Sequence, residues 1–293
     1  MEKKFITLPN KEKLAYLDIG VGKEVMVLVH GNMSSSIHFK PLIERFQDEY
    51  RIIAPDMRGF GDSSYESRFD DLEVLAEDLI MLLDELNVHK YYVAGWSTGG
   101  AVALKMAVMR PKEVMKMILI ESCSYKGYPI YKKDESGQPI VGSYYATKEE
   151  VASDSVQVAP MVGIFETKAT EYMKAVWDQA IYTVNKPSKE DDELYLSETM
   201  KERCIVDIDW ALTRFNMSDE SNGVTEGDGS IKDVICPVLS FWSESDIVVL
   251  EYMVDETVKA LKDAKKIKLK NSGHSPLVDT PDVLAEEIKK FIK

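Results

Sequence analysis

The chain has 293 residues, 45% of them hydrophobic and 29% charged, the composition of a folded globular protein rather than a disordered one. Its formal net charge of -14 repels nucleic-acid phosphates and anionic lipid heads, so neither nucleic acid nor membrane is expected as a partner. Three separated cysteines, Cys123, Cys204 and Cys236, form no CxxC pair, and MEKKFITLPN lacks the apolar run of a secretory leader, so a reducing, cytoplasmic setting is expected.

From about residue 25 to 122, short apolar runs alternate with helical stretches. VMVLVH (25–30) ends at a Gly, and RIIAPD (51–56) runs into Met-Arg-Gly. YYVAG (91–95) and KMILIE (116–121) are two further runs. Runs this short, with little polar alternation, suit strands buried on both faces of a parallel sheet. Between them, residues 70–88 place Leu72, Leu75, Leu79, Leu82, Leu83 and Leu86 on one helical face. Residues 99–111 form a small-residue helix stopped by Pro111. Strands alternating with helices predict βαβ units.

The rhythm breaks over residues 123–236, where helix-like patches such as 169–184 are separated by loops. It resumes with CPVLSFW (236–242), KKIKLK (265–270) and a helix after Pro281. The economical organisation is one α/β core, 1–122 and 237–293, interrupted by a mainly helical insertion.

Chemistry concentrates in Gly95-Trp96-Ser97-Thr98-Gly99-Gly100, between a predicted strand and a predicted helix. A nucleophile on so tight a turn needs small residues two positions to either side, and the turn pushes the Ser97 hydroxyl out beside a helix N-terminus. There the backbone N–H of Thr98 can hold an oxyanion, with the N–H of Asn32, in His30-Gly31-Asn32-Met33, as the second donor. A serine nucleophile needs a base, and the chain has four histidines. His30 reads as structural, His38 as packing or surface, and His89 as solvated in a charged turn. His274, in Asn-Ser-Gly-His-Ser-Pro after the last strand, reaches the edge where Ser97 emerges. The acid that orients it is expected to be Asp246, with Glu121 and Glu244 as rivals.

Taken together, HGN (30–32), Asp56-Met-Arg-Gly-Phe-Gly-Asp-Ser63, GWSTGG (95–100), SESD (243–246) and SGHSP (272–276) resemble the α/β-hydrolase superfamily. The resemblance implies a mostly parallel eight-stranded sheet flanked by helices, with the insertion 123–236 as a cap over its C-terminal edge. It implies Ser97, Asp246 and His274 as a triad and, through Ser97, an acyl-enzyme without metal or organic cofactor. Family members with an Asp nucleophile, the epoxide hydrolases and haloalkane dehalogenases, are disfavoured by Ser97. One departure stands out: the strand before the acid usually ends in Gly, where this chain has Ser243. The substrate is expected to be a small to medium ester bound against Trp96, Met33 and Trp177. C–C bond cleavage or perhydrolysis by the same triad, and a ligand-binding protein with a retained triad, are the alternatives. A carboxylate-binding arginine facing the cap would favour C–C cleavage, and Arg203 and Arg214 are the only cap arginines.

Overall fold

The computed structural model describes every residue from Met1 to Lys293. Ten strands and eleven α-helices follow in chain order. The N-terminal half contains β1 (Lys4–Thr7), β2 (Lys13–Ile19), β3 (Val25–Val29), α1 (Lys40–Phe46) and β4 (Arg51–Pro55), then α2 (Leu72–Glu85), β5 (Tyr91–Trp96), α3 (Thr98–Met109) and β6 (Val114–Ile120). Next come β7 (Tyr131–Lys133), β8 (Pro139–Tyr144), α4 (Lys148–Ala152), α5 (Ala159–Thr167), α6 (Thr170–Ala180), α7 (Lys189–Thr199) and α8 (Ile205–Arg214). The chain closes with β9 (Val238–Ser243), α9 (Glu251–Ala260), β10 (Ala264–Leu269), α10 (Pro276–Asp279) and α11 (Pro281–Ile292).

Eight strands form one sheet in the order β1-β2-β4-β3-β5-β6-β9-β10. The β1–β2 and β2–β4 pairs are antiparallel, and every later pair is parallel. The mostly parallel sheet expected from the apolar runs is therefore present. The alternation of β3 shows how it is covered. Val25, Val27 and Val29 belong to the core cluster that also holds Leu79 and Leu83 of α2 and Val102 of α3. Met26 and Leu28 belong to the opposite cluster, with Leu42 and Phe46 of α1 and Ile288 of α11. A strand whose two faces are both buried has no polar position to spare, which is why VMVLV reads as an unbroken apolar run.

The helix boundaries follow local chemistry. α2 begins after Asp71, whose carboxylate is drawn away from capping by Arg214 Nε at 2.9 Å. α3 ends at Met109, because the residue before Pro111 is disfavoured in helical geometry and Arg110 turns out at φ -130°. Pro281 starts α11, where its missing N–H leaves no helical bond unmade.

The segment between β6 and β9 holds five helices and one feature that its pattern did not announce, the antiparallel pair β7–β8. Its turn is Asp134-Glu-Ser-Gly137, in which the Asp134 carboxylate accepts from the amides of Ser136 and Gln138. The segment is tied to the sheet through the Asp56–Ser63 motif. Lys3 Nζ donates to Asp56, to Asp62 and, at 2.6 Å, to Glu198 of α7. Arg203 donates to the carbonyl oxygen of Gly61 at 3.2 Å. No helix is long and apolar enough to cross a membrane.

The chain leaves β3 toward β4 on one side and leaves the neighbouring β5 toward β6 on the other, so the order reverses between β3 and β5, and the C-terminal ends of β3, β5, β6, β9 and β10 come out along one edge. In open α/β sheets this is where loops converge. Four non-glycine residues in the left-handed region follow four of these strands: Met33 (φ 51°), Ser97 (φ 54°), Glu121 (φ 45°) and Asn271 (φ 53°). Each costs on the order of 1–3 kcal/mol, and such strain concentrates at functional edges.

Candidate active site

Ser97 stands between β5 and α3 with φ 54° and ψ -122°, and its amide donates to the carbonyl oxygen of Ile120 at 2.8 Å. The turn is compressed. A Cβ at Gly95 would sit 2.3 Å from the carbonyl oxygen of Gly99, and a Cβ at Gly99 would sit 2.1 Å from that of Val29. Neither is backbone that can step aside, so glycine on both flanks is required for the serine to be presented.

The loop after β10 brings His274 over the same edge. Its Nε2 lies 3.0 Å from Ser97 Oγ, and its Nδ1 lies 2.9 Å from Asp246 Oδ2. Trp96 Nε1 donates to the His274 carbonyl oxygen at 2.8 Å, and Gly273 N–H donates to Asp279 at 2.8 Å, so the loop is held on both sides of the ring. Asp246 is fixed as firmly. Its Oδ1 accepts from the amides of Val248 (2.8 Å) and Val249 (3.0 Å). Burial alone would raise its carboxyl, but His274 and these donors hold it below the ordinary aspartate value.

The two rivals for the acid are separated by geometry. Glu244 is exposed, and its carboxylate accepts from the amide of Asn271 at 3.1 Å. Glu121 is fully buried at the end of β6 and accepts both from Ser243 Oγ (2.7 Å) and from Ser243 N–H (3.0 Å). It also touches the Asp246 carboxylate, and burial with that neighbouring charge pushes the Glu121 carboxyl well up. Burial and the neighbouring Asp246 favour the protonated form of Glu121, which in that form has a proton to donate toward Asp246. The serine that departs from the family pattern at position 243 is the residue that satisfies Glu121.

The remaining histidines are accounted for. His30 is buried, accepts from Met57 N–H at Nε2 (2.9 Å) and donates from Nδ1 to the Gly31 carbonyl oxygen (2.8 Å). His38 is buried against Tyr195 with ring centroids 4.9 Å apart. His89 is exposed.

Ser97 and His274 open onto a cavity of about 340 Å³. Asn32 and Thr98 stand in its wall beside the hydroxyl. The Thr98 amide is the first of α3, where no helical acceptor exists, and the Asn32 amide is engaged by no acceptor in the protein. Most of the wall is apolar, and the insertion supplies Tyr128, Met161 and Ile181 to it. Of the residues expected at the substrate, Met33 lines the cavity, but Trp96 and Trp177 do not. Strand alternation puts Trp96 on the face shared with Tyr92 and Ala94, away from the cavity. Trp177 packs on Tyr182 and Trp96 in the same cluster. Both are core residues, and Trp96 braces the His274 loop from behind.

One cavity residue escaped the sequence reading. Asp209 of α8 faces the chamber, and its Oδ1 accepts from Asn32 Nδ2 at 3.0 Å. Ile205, Asp209 and Leu212 line the cavity together at helical spacing. A carboxylate on an otherwise apolar helical stripe is the signal that would have found it. Burial pushes this carboxyl up to about 7, with the Asn32 hydrogen bond pulling the other way. In an unfolded chain an aspartate titrates near ~4. The folded state therefore holds the proton more tightly, and stability is lost as pH rises from about 4 through about 7. Asp209→Asn is expected to raise the melting temperature, by more at about pH 8 than at about pH 5. An equal gain at both values would contradict a half-buried carboxylate that ionises in this interval.

Comparison with known proteins agrees with this architecture. A family model described as alpha/beta hydrolase fold matches residues 24–281. An uncharacterized hydrolase of Bacillus subtilis, YugF, is 24% identical over 93% of this chain and 91% of its own length. Lipase 1 of Psychrobacter immobilis is 25% identical over 99% of this chain and 84% of that protein. Among solved structures, the esterase EaEST of Exiguobacterium antarcticum is similar with a TM-score of 0.77, covering 99% of both chains at 18% identity, which is a likeness of fold.

Proposed function

The chain belongs to the α/β-hydrolase fold family, and on that premise we propose that it is a serine hydrolase cleaving a small to medium carboxylic ester through an acyl-enzyme on Ser97. The observation that carries the reading is the unbroken relay of 3.0 Å from Ser97 Oγ to His274 Nε2 and 2.9 Å from His274 Nδ1 to Asp246.

In this reading Ser97 Oγ attacks the ester carbonyl carbon as Nε2 of His274 takes its proton. The C=O electron pair moves to oxygen, where the amides of Asn32 and Thr98 receive the negative charge. Collapse expels the alcohol oxygen, which takes the proton back from His274. Water then attacks the acyl carbon by the same route and releases the carboxylic acid and free Ser97. Asp246 stabilises the imidazolium in both halves.

C–C bond cleavage of an acidic diketone needs a cation for the substrate carboxylate. Arg203 is spent on the backbone carbonyls of Gly61 and Lys201, Arg214 pairs with Asp71, and no lysine or arginine lines the cavity. This weighs against that alternative. A cavity of about 340 Å³ lies at the low end for small-molecule sites, which supports a modest acyl group.

The test is labelling by a serine-directed fluorophosphonate. Stoichiometric attachment that disappears in Ser97→Ala is expected, and absent labelling of the folded protein would favour a ligand-binding protein instead. Across p-nitrophenyl esters of increasing chain length, kcat/KM is expected to peak at short to medium acyl chains. A maximum at long chains would overturn the size assignment.

A further inference from the structure

The cavity carries one carboxyl group and no lysine or arginine. Its wall is mostly apolar, and among its polar members Asp209 is the only carboxylate. Asp209 has a single donor, Asn32 Nδ2, on Oδ1. No protein donor reaches its Oδ2. Asp209 is half-buried and its Oδ2 is open to the chamber, so whatever enters there must donate to it or leave it without a partner at a cost. Repacking within the protein would have been simple, since Leu or Ile at this position would continue the Ile205–Leu212 stripe.

The placement also fixes where a ligand would meet it. Asn32 contributes its backbone amide to the cavity wall beside Ser97, and its side chain to Asp209. The carboxylate is therefore one asparagine side chain away from the oxyanion position. A substrate whose carbonyl sits on Ser97 meets Asp209 within a few bonds of that carbonyl.

We propose that Asp209 is a specificity-determining residue that selects esters carrying a hydrogen-bond donor, a hydroxyl or an ammonium, close to the carbonyl, and rejects esters carrying a carboxylate there. The selection rests on the reading of Ser97 as the nucleophile, and it adds no covalent step to it. A hydroxyl or ammonium donates to Oδ2 and replaces the water it loses on entry. A carboxylate meets like charge in an apolar setting with no cation to offset it. A neutral alkyl chain fits but leaves Oδ2 without a partner.

The experiment compares four ethyl esters of similar size by pH-stat at about pH 8, where Asp209 is ionised: ethyl butanoate, ethyl β-hydroxypropanoate, β-alanine ethyl ester and monoethyl malonate. In the unaltered protein kcat/KM is expected to be about tenfold higher for the hydroxyl and ammonium esters than for ethyl butanoate, and lowest for monoethyl malonate. In Asp209→Asn the ammonium preference is expected to vanish and the penalty on the malonate to shrink. The hydroxyl preference should persist in part, because an amide oxygen still accepts. In Asp209→Leu both preferences should disappear.

The ratios between esters are the readout, since a merely structural role in holding Asn32 would lower all four together. A uniform fall across the series, or equal rates for the four esters in the unaltered protein, overturns the assignment of Asp209. Fluorophosphonate labelling of Ser97 in the same preparations keeps the two claims apart. Labelling with flat ratios sinks the selectivity alone, and loss of labelling in the unaltered protein sinks the hydrolase reading with it.

Discussion

Ser97→Ala is expected to lower kcat on its best ester by roughly a millionfold, and His274→Ala by about as much. The reason is the geometry of the pair. The hydroxyl is a poor nucleophile until a base 3.0 Å away removes its proton, and the base has no other substrate proton to take in the first step. The two side chains act as one unit, so the double variant should be no slower than either single one. What survives, on the order of a thousandfold over water, is what the Asn32 and Thr98 amides and the cavity contribute unaided. Measuring single-turnover rates for the two singles and the double tests this directly. Losses that add on a logarithmic scale would mean that the two residues act independently. Melting temperatures should stay within a few degrees, because Ala at φ 54° is no better placed than Ser and the hydroxyl bonds only to His274.

The legibility of this protein follows from periodicity. Runs such as VMVLV and KMILI admit few structures, since every side chain in them must be buried and only a two-sided sheet does that. The glycines around Ser97 were legible because the turn tolerates no Cβ, and His274 because a base must follow a strand ending on the same edge. Local pattern fails where tertiary placement decides. Trp96 adjoins the nucleophile in sequence, yet alternation along YYVAGW sends it to the opposite face, and counting in twos from Tyr92 would have shown this. Met173 and Trp177 fall four residues apart on α6, a core spacing, and both are buried. Asp209 went unread, because whether a helix presents one stripe to water or to a cavity depends on what lies across from it. Glu121 and Asp246 are far apart in sequence, and only the pairing of β6 with β9 shows that they meet.

That meeting sharpens the second large effect. Asp246→Asn is expected to reduce kcat/KM by about a thousand- to ten-thousandfold, through the tautomer of His274. Oδ1 of Asp246 is pinned by two amide donors, from Val248 and Val249, so in the asparagine variant the carbonyl oxygen must occupy that position. The NH2 group then points at His274 Nδ1 and forces that nitrogen to accept. The ring proton moves to Nε2, where it faces the Ser97 hydroxyl and can no longer receive a proton from it. Glu121 is poorly placed to take over, because both its oxygens accept from Ser243 and burial holds its carboxyl well above the ordinary glutamate value. Glu121→Gln retains a donor toward Asp246 and should cost less than about tenfold, whereas Glu121→Leu leaves the Asp246 carboxylate and Ser243 without that partner and should cost more. The ordering of the three variants is the decisive measurement. If Asp246→Asn stayed within tenfold of the unaltered protein while Glu121→Gln fell a thousandfold, the carboxylate that orients His274 would be the one at the end of β6.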